Sequence, residues 1–203
     1  NKTAEVTYKG NYYHSEEEYS GSVVIPSSIT YNSEIYSVTS IGVSAFHGCR
    51  RLTSVAIGNS VTSIGQSAFR GCSGLTSVAI GNSVTSIGKS AYRDCSGLTS
   101  ITIPNSVISI GDEAFWLCSG LTSIAIGNSV TSIGREAFYE CSLTSITIPS
   151  SVTFIDEWAF LGCSKLTSVV WNAKNYGDFN GYTDTPFKET NNLTSFTIGN
   201  NVE

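Results

Sequence analysis

LTSVAIGNSVTSIGQSAFRGCSG, residues 52–74, is followed at 75–97 by LTSVAIGNSVTSIGKSAYRDCSG. Leucine followed by Thr-Ser recurs at Leu52, Leu75, Leu98, Leu121, Leu143, Leu166 and Leu193. The steps are 23, 23, 23, 22, 23 and 27 residues, the short one being a deletion after Cys141-Ser142. A period of this length marks a repeat architecture: one unit cannot bury its own apolar face and must stack on its neighbours. Counted from its leucine, the unit reads L-T-S-[VI]-x-I-[GP]-[NS]-S-V-x-x-I-[GD]-x-x-A-[FY]-x-x-C-S-x.

Each column has a physical meaning. The apolar residues at unit positions 1, 4 and 6 follow the strand signature of leucine-rich repeats. Positions 4 and 6 share one face of a strand, so positions 3 and 5 point the other way. The valine at 10 and isoleucine at 13 continue the apolar wall. Alanine, Phe/Tyr and cysteine at 17, 18 and 21 are spaced for a short helical turn packing inward. The expected fold is a repeat solenoid of the α/β-type leucine-rich kind: a curved right-handed array of 23-residue units. Its parallel sheet is expected on the concave side, with short helical turns opposite. The solenoid is expected to span 23–203, truncated in its last unit, with residues 1–22 as an N-terminal cap. Residues 31–37 interrupt the lead-in unit like a short hairpin, and residues 4–20 alternate around Gly10-Asn11 in a second hairpin pattern. A start at Asn1 without methionine and an end inside the repeat pattern read as cuts from a longer protein.

The unit resembles the BspA-like leucine-rich repeats, closely over 23–171 and again, as a truncated unit, over 193–202. The resemblance implies a bacterial protein that is secreted or attached to the cell surface. It also implies adhesion, through binding of host matrix proteins such as fibronectin and fibrinogen or of other cells.

Composition narrows the chemistry. Of 203 residues only 13% are charged, against a usual quarter, and the formal net charge is −5. An acidic chain argues against nucleic acid, which needs a basic stripe, and no apolar run reaches the ~20 residues of a membrane span. All six cysteines occupy position 21, where equivalent side chains run parallel. That favours an interior column of buried thiols over disulfides, which need facing Cβ atoms. His14 and His47 are the only histidines, and no G-x-S-x-G, P-loop or H-E-x-x-H occurs, so no enzyme, cofactor or resident metal is expected. Asp178, Asn180, Tyr182 and Asp184 alternate as in a calcium loop, but Gly181 stands at the wrong offset.

Candidate contacts lie elsewhere. Positions 3 and 5 present Ser, Ala and Thr, a neutral face without the Trp, Tyr or Arg anchors of binding hot spots. Variation concentrates at positions 15, 16, 19 and 20, where Trp116, Leu117, Tyr139, Trp158 and Leu161 join charged residues. Trp116, Tyr139 and Leu161 share column 19 and should line one edge. The lengthened unit after Leu166 adds Trp171, Tyr176, Phe179, Tyr182 and Phe187. Trp171 and Phe187 are expected in the core, leaving Tyr176, Asp178 and Tyr182 as loop contacts. Three functions fit: a protein-binding adhesion module, a carbohydrate-binding accessory, or a spacer presenting another domain. Partners are accordingly proteins, with glycans as the alternative.

Overall fold

The computed structural model describes residues 2–7, 19–173 and 185–199. Strands β1 (Thr3–Val6), β2 (Gly21–Ile25), β3 (Ser28–Tyr31) and β4 (Glu34–Ile41) precede the regular array. Each unit then supplies a strand near position 3 and a second near position 12. The first five pairs are β5 (Leu52–Ile57) and β6 (Ser63–Ile64), β7 (Ser77–Ala79) and β8 (Ser86–Ile87), β9 (Ser100–Thr102) and β10 (Ser109–Ile110), β11 (Ser123–Ala125) and β12 (Ser132–Ile133), and β13 (Ser145–Ile148) and β14 (Phe154–Ile155). β15 (Ser168–Trp171) and β16 (Ser195–Ile198) close the order. The result is a β-solenoid of about six turns.

The strand at position 12 is a feature that the columns do not announce. It links β1-β4-β6-β8-β10-β12-β14 into one continuous parallel sheet, with β3 antiparallel to β4. The β3–β4 hairpin is the one expected over 31–37, turning at Asn32 and Ser33 with φ of 48° and 61°. Two consecutive positive φ values match a type I′ turn, whose twist suits a hairpin. The Gly10-Asn11 pattern lies outside the described residues.

The core follows the columns. Leu52, Leu75, Leu98, Leu121, Leu143 and Leu166 are wholly buried, as are the valines at position 10 from Val61 to Val130. The rings at position 18 form one stack, with Phe46, Phe69, Tyr92, Phe115, Phe138 and Phe160 at centroid spacings of 4.9 to 5.3 Å. Phe187 extends it at 5.1 Å, and Trp171 is 4% exposed, as expected of both. All six cysteines are buried thiols. Five of them point Sγ at the position-18 carbonyl of the preceding unit, as Cys95 does to Phe69 at 3.1 Å. Burial pushes the Cys95 and Cys118 thiols well up and that of Cys163 up to about 12.

Opposite the position-3 strands, positions 14–21 are turns rather than a helical turn. In the second full unit, Ala91 N donates to Gly88 O, Arg93 N to Ser90 O and Cys95 N to Tyr92 O. The intervening amides donate onward instead: Ser90 N to Asp112 O, Tyr92 N to Ala114 O and Asp94 N to Trp116 O of the next unit. Left-handed residues at positions 16 and 20 aim these amides out of the unit. Position 16 has φ between 54° and 58° at Ser44, Ser67, Ser90, Glu113, Glu136 and Trp158. Position 20 is left-handed from Gly48 through Asp94, Leu117 and Glu140 to Gly162. An L-residue in that region cannot propagate a right-handed helix.

The position-3 strands do not form one sheet. They group as β2-β5-β7, β9-β11 and β13-β15-β16, with breaks between β7 and β9 and between β11 and β13. Both breaks precede a unit with proline at position 7, Pro104 and Pro149. At three unbroken junctions the position-7 amide bonds the preceding unit: Gly58 N to Ile25 O, Asn172 N to Ile148 O and Gly199 N to Trp171 O. Proline has no such donor and its ring adds bulk. The space is already tight: a Cβ on Gly81 would lie 2.6 Å from Gly58 O, and one on Gly127 2.4 Å from Pro104 O. Asn172 carries a Cβ yet keeps its strand pairing, and β5–β7 and β9–β11 pair without a bond from the Gly81 or Gly127 amide, so the lost donor is not by itself what parts the strands. Grooves of about 770 and 600 Å³ open at the two breaks. Val78 and Ile80 line the first and Ile124 and Ile126 the second, all half-buried where their equivalents Ile101, Ile103, Ile146 and Ile148 are buried.

Candidate functional site

The turn ladder sets the geometry of the variable columns. Because each unit repeats the same turns about 5 Å on, side chains at position 19 fall into a file. Trp116 stacks on Tyr139 with centroids 5.3 Å apart and planes at 10°. Arg93, one unit earlier in the same column, lays its guanidinium 3.8 Å from the Trp116 ring centroid. Such a stack joins apolar area with a cation–π attraction. Arg93 is held from the other side by Glu113, which also pairs with Lys89 at 3.5 Å and accepts from Ser90 Oγ at 3.1 Å. Burial raises the Glu113 pKa, but hydrogen bonds from Arg93 and Ser90 and the charges of Arg93 and Lys89 outweigh it, leaving the pKa lowered. Glu113 is therefore a carboxylate at neutral pH, fixing Arg93 against the indole.

Trp158 lies in column 16, with Arg135 4.5 Å and Lys188 6.0 Å from its ring. Its indole Nε1 is buried and has no hydrogen-bond partner among the described residues. Leu161 continues the column of Trp116 and Tyr139. All five residues, Trp116, Leu117, Tyr139, Trp158 and Leu161, are half-buried on this turn face. Leu117 and Trp158 carry φ of 53° and 58°. Bulky residues are rare in that region, and the equivalent sites elsewhere hold Gly, Ser, Asp or Glu. Tyr176, Asp178 and Tyr182 lie outside the described residues, as does the calcium-like spacing. The sequence pattern puts Arg93 in the column of Trp116 and Tyr139 but did not single out Arg135 and Lys188, which only the stack makes neighbours of Trp158.

Charge on this face is segregated. Within 45–165 every charged residue falls at positions 14–23. In 45–97, Arg50, Arg51, Arg70, Lys89 and Arg93 against Asp94 leave +4. In 98–165, Asp112, Glu113, Glu136, Glu140, Asp156 and Glu157 against Arg135 and Lys165 leave −4. His47, beside the basic half, is exposed, and its pKa is lowered by partial burial and the charge of Arg70. The opposite face, at positions 3 and 5, is uncharged. Its grooves offer small side chains and the carboxamides of Asn82 and Asn128. No helix among the described residues is long and apolar enough to cross a membrane.

Comparison with known proteins agrees with this architecture. A leucine-rich repeat protein of T. pallidum has a similar crystal structure, with 32% identity over 76% of this chain and 72% of that one, at a TM-score of 0.70. A leucine-rich cell surface protein of Faecalibacterium prausnitzii A2-165 is 30% identical over 88% of this chain, at a TM-score of 0.61. The chain spans about half of that protein, 53% of its length. The pneumococcal vaccine antigen PcpA shares the fold at 16% identity, with a TM-score of 0.55 over 98% of this chain and 64% of that one. No curated protein matches the sequence. The family described as BspA type leucine-rich repeat region matches in six copies over residues 27–115 and 85–203. With its repeats, its stacked core and a match across most of its length, the chain belongs to the BspA-type leucine-rich repeat family.

Proposed function

We propose that this chain is a non-catalytic protein-binding module of the bacterial cell surface, acting in adhesion, and that partners dock on its turn face. The observation that carries the reading is the Arg93–Trp116–Tyr139 stack, flanked by Leu117 and Trp158 in left-handed backbone. A left-handed conformation costs an L-residue roughly 1–2 kcal/mol. Smaller residues fill the same columns in other units, so stability alone does not call for leucine and tryptophan there. Strain of this kind gathers where a surface is used. Trp, Tyr and Arg are also the residue types that dominate binding energy at interfaces. The other uncovered face has none of them.

The test is a Trp116→Ala/Tyr139→Ala double variant with an unchanged circular dichroism spectrum. Its binding to immobilised matrix proteins, glycans and whole cells is compared with that of the parent chain. Two hot-spot residues removed together should weaken protein binding about thirtyfold or more. Full retention of binding by the folded variant refutes the turn face as the site, and capture of glycans alone refutes a protein partner. A Tyr176→Ala/Tyr182→Ala variant, assayed alongside with Asp178 intact, measures the share of the lengthened unit.

A further inference from the structure

The two charged halves of the turn face lie along a stiff axis. Successive position-18 rings are 4.9 to 5.3 Å apart, so Phe46 and Phe160 are separated by roughly 25 Å. That exceeds the ~8 Å screening length of physiological salt about threefold, so each half presents its own charge to a partner. Near the middle the charges are used up within the chain: Lys89 and Arg93 pair with Glu113, and Arg70 and Arg93 with Asp94. At the ends they are not. Arg50 and Arg51 at one end and Glu140 and Glu157 at the other are exposed, and none of them is in an ion pair among the described residues.

We propose that this face docks on the turn face of a second copy of the chain, antiparallel, so that the basic end of each copy covers the acidic end of the other. The inference rests on the reading of the turn face as the contact surface, and it names the partner. A surface that runs from positive to negative along one axis is self-complementary under a two-fold rotation across that axis. Reversing one copy brings Arg50 and Arg51 over Glu140 and Glu157 twice, and sets the Trp116 region near the two-fold axis. The parallel arrangement opposes like charges at both ends. A partner of uniform charge would be attracted by one half and repelled by the other, which is why a copy of this chain fits better than a generally basic or acidic protein. The net charge of −5 makes two copies repel in any orientation that does not match the ends. Because exposed charges at its two ends supply the attraction, the dimer is weak and sensitive to salt.

Sedimentation of the 203-residue chain over about 10 to 500 µM, at low and at high salt, tests this. A concentration-dependent dimer that weakens at least about tenfold in high salt is expected. An Arg50→Glu/Arg51→Glu variant and a Glu140→Arg/Glu157→Arg variant, each folded by circular dichroism, should each be monomeric. Their equimolar mixture should form a heterodimer, because one copy is then acidic at both ends and the other basic. Pairing in the mixture excludes misfolding as the cause of lost self-association. A parent chain that stays monomeric at low salt, variants that dimerise like the parent, or a mixture that fails to pair each overturns the proposal. If the parent is monomeric while Trp116→Ala/Tyr139→Ala still loses matrix binding, the self-docking falls and the adhesive turn face stands.

Discussion

Replacing Tyr92 by Phe should make this protein more stable. Tyr92 is the one tyrosine in a column otherwise filled by phenylalanine, stacked between Phe69 at 5.2 Å and Phe115 at 5.3 Å, and wholly buried. Its hydroxyl has no hydrogen-bond partner among the described residues. Burial and the neighbouring Cys95 and Cys72 hold the phenol pKa well above its ordinary value, so the group stays neutral. A neutral hydroxyl buried without a partner costs about 1–3 kcal/mol. Phenylalanine removes that cost and leaves a void the size of one oxygen, worth a few tenths of a kcal/mol. The net gain is about 1–2 kcal/mol. At about 2–4 °C per kcal/mol for a chain of this length, Tm rises by roughly 2–8 °C. A thermal melt by calorimetry at neutral pH measures it, with Tm as the readout because stacked repeats need not unfold in one step. An unchanged or lower Tm would show that the hydroxyl is bonded, and the reasoning would fail.

Other outcomes follow from the same geometry. Pro104→Gly takes the ring out of position 7 at the first break; β7 should then pair with β9, read as slowed hydrogen exchange of the β9 amides, and exchange unchanged from the parent would refute the proline account of the split sheet. The thiols should resist alkylation in the native protein and all six should react after denaturation without reductant, fewer meaning disulfides. For Cys72, Cys95, Cys118 and Cys163 the folded pKa is raised, so the unfolded chain ionises first: their contribution is fully present below the unfolded pKa of 9.0 and is lost as pH climbs toward the value of about 12 at Cys163. Denaturation midpoints that do not move between neutral and strongly alkaline pH would contradict buried, protonated thiols.

Much of the fold was legible because each unit repeats one burial pattern. Leu52 and its equivalents, the position-18 rings and Cys49 through Cys163 are buried where the columns place them. Trp171 and Phe187 kept their core roles although their unit is longer. The helical turn was the natural reading of Ala, Phe and Cys at 17, 18 and 21, since their spacing alone does not show which way the amides point. The candidate site was half legible: Arg93, Trp116 and Tyr139 share a column, but nothing in the row of letters says that Arg135 and Lys188 gather on Trp158.

What the sequence by itself determined is what a column can encode, namely which residues face inward and that units stack, since burial depends on residue type and period. Only the tertiary structure decided what depends on contact between units. The left-handed φ at positions 16 and 20 lets amides bond forward, which removes the helix and aligns column 19. The Ser-Ile pairs at positions 12 and 13 become a continuous sheet only when a neighbour supplies the partner carbonyls. The other sheet parts where Pro104 and Pro149 meet the unit before them, a junction that no single unit contains.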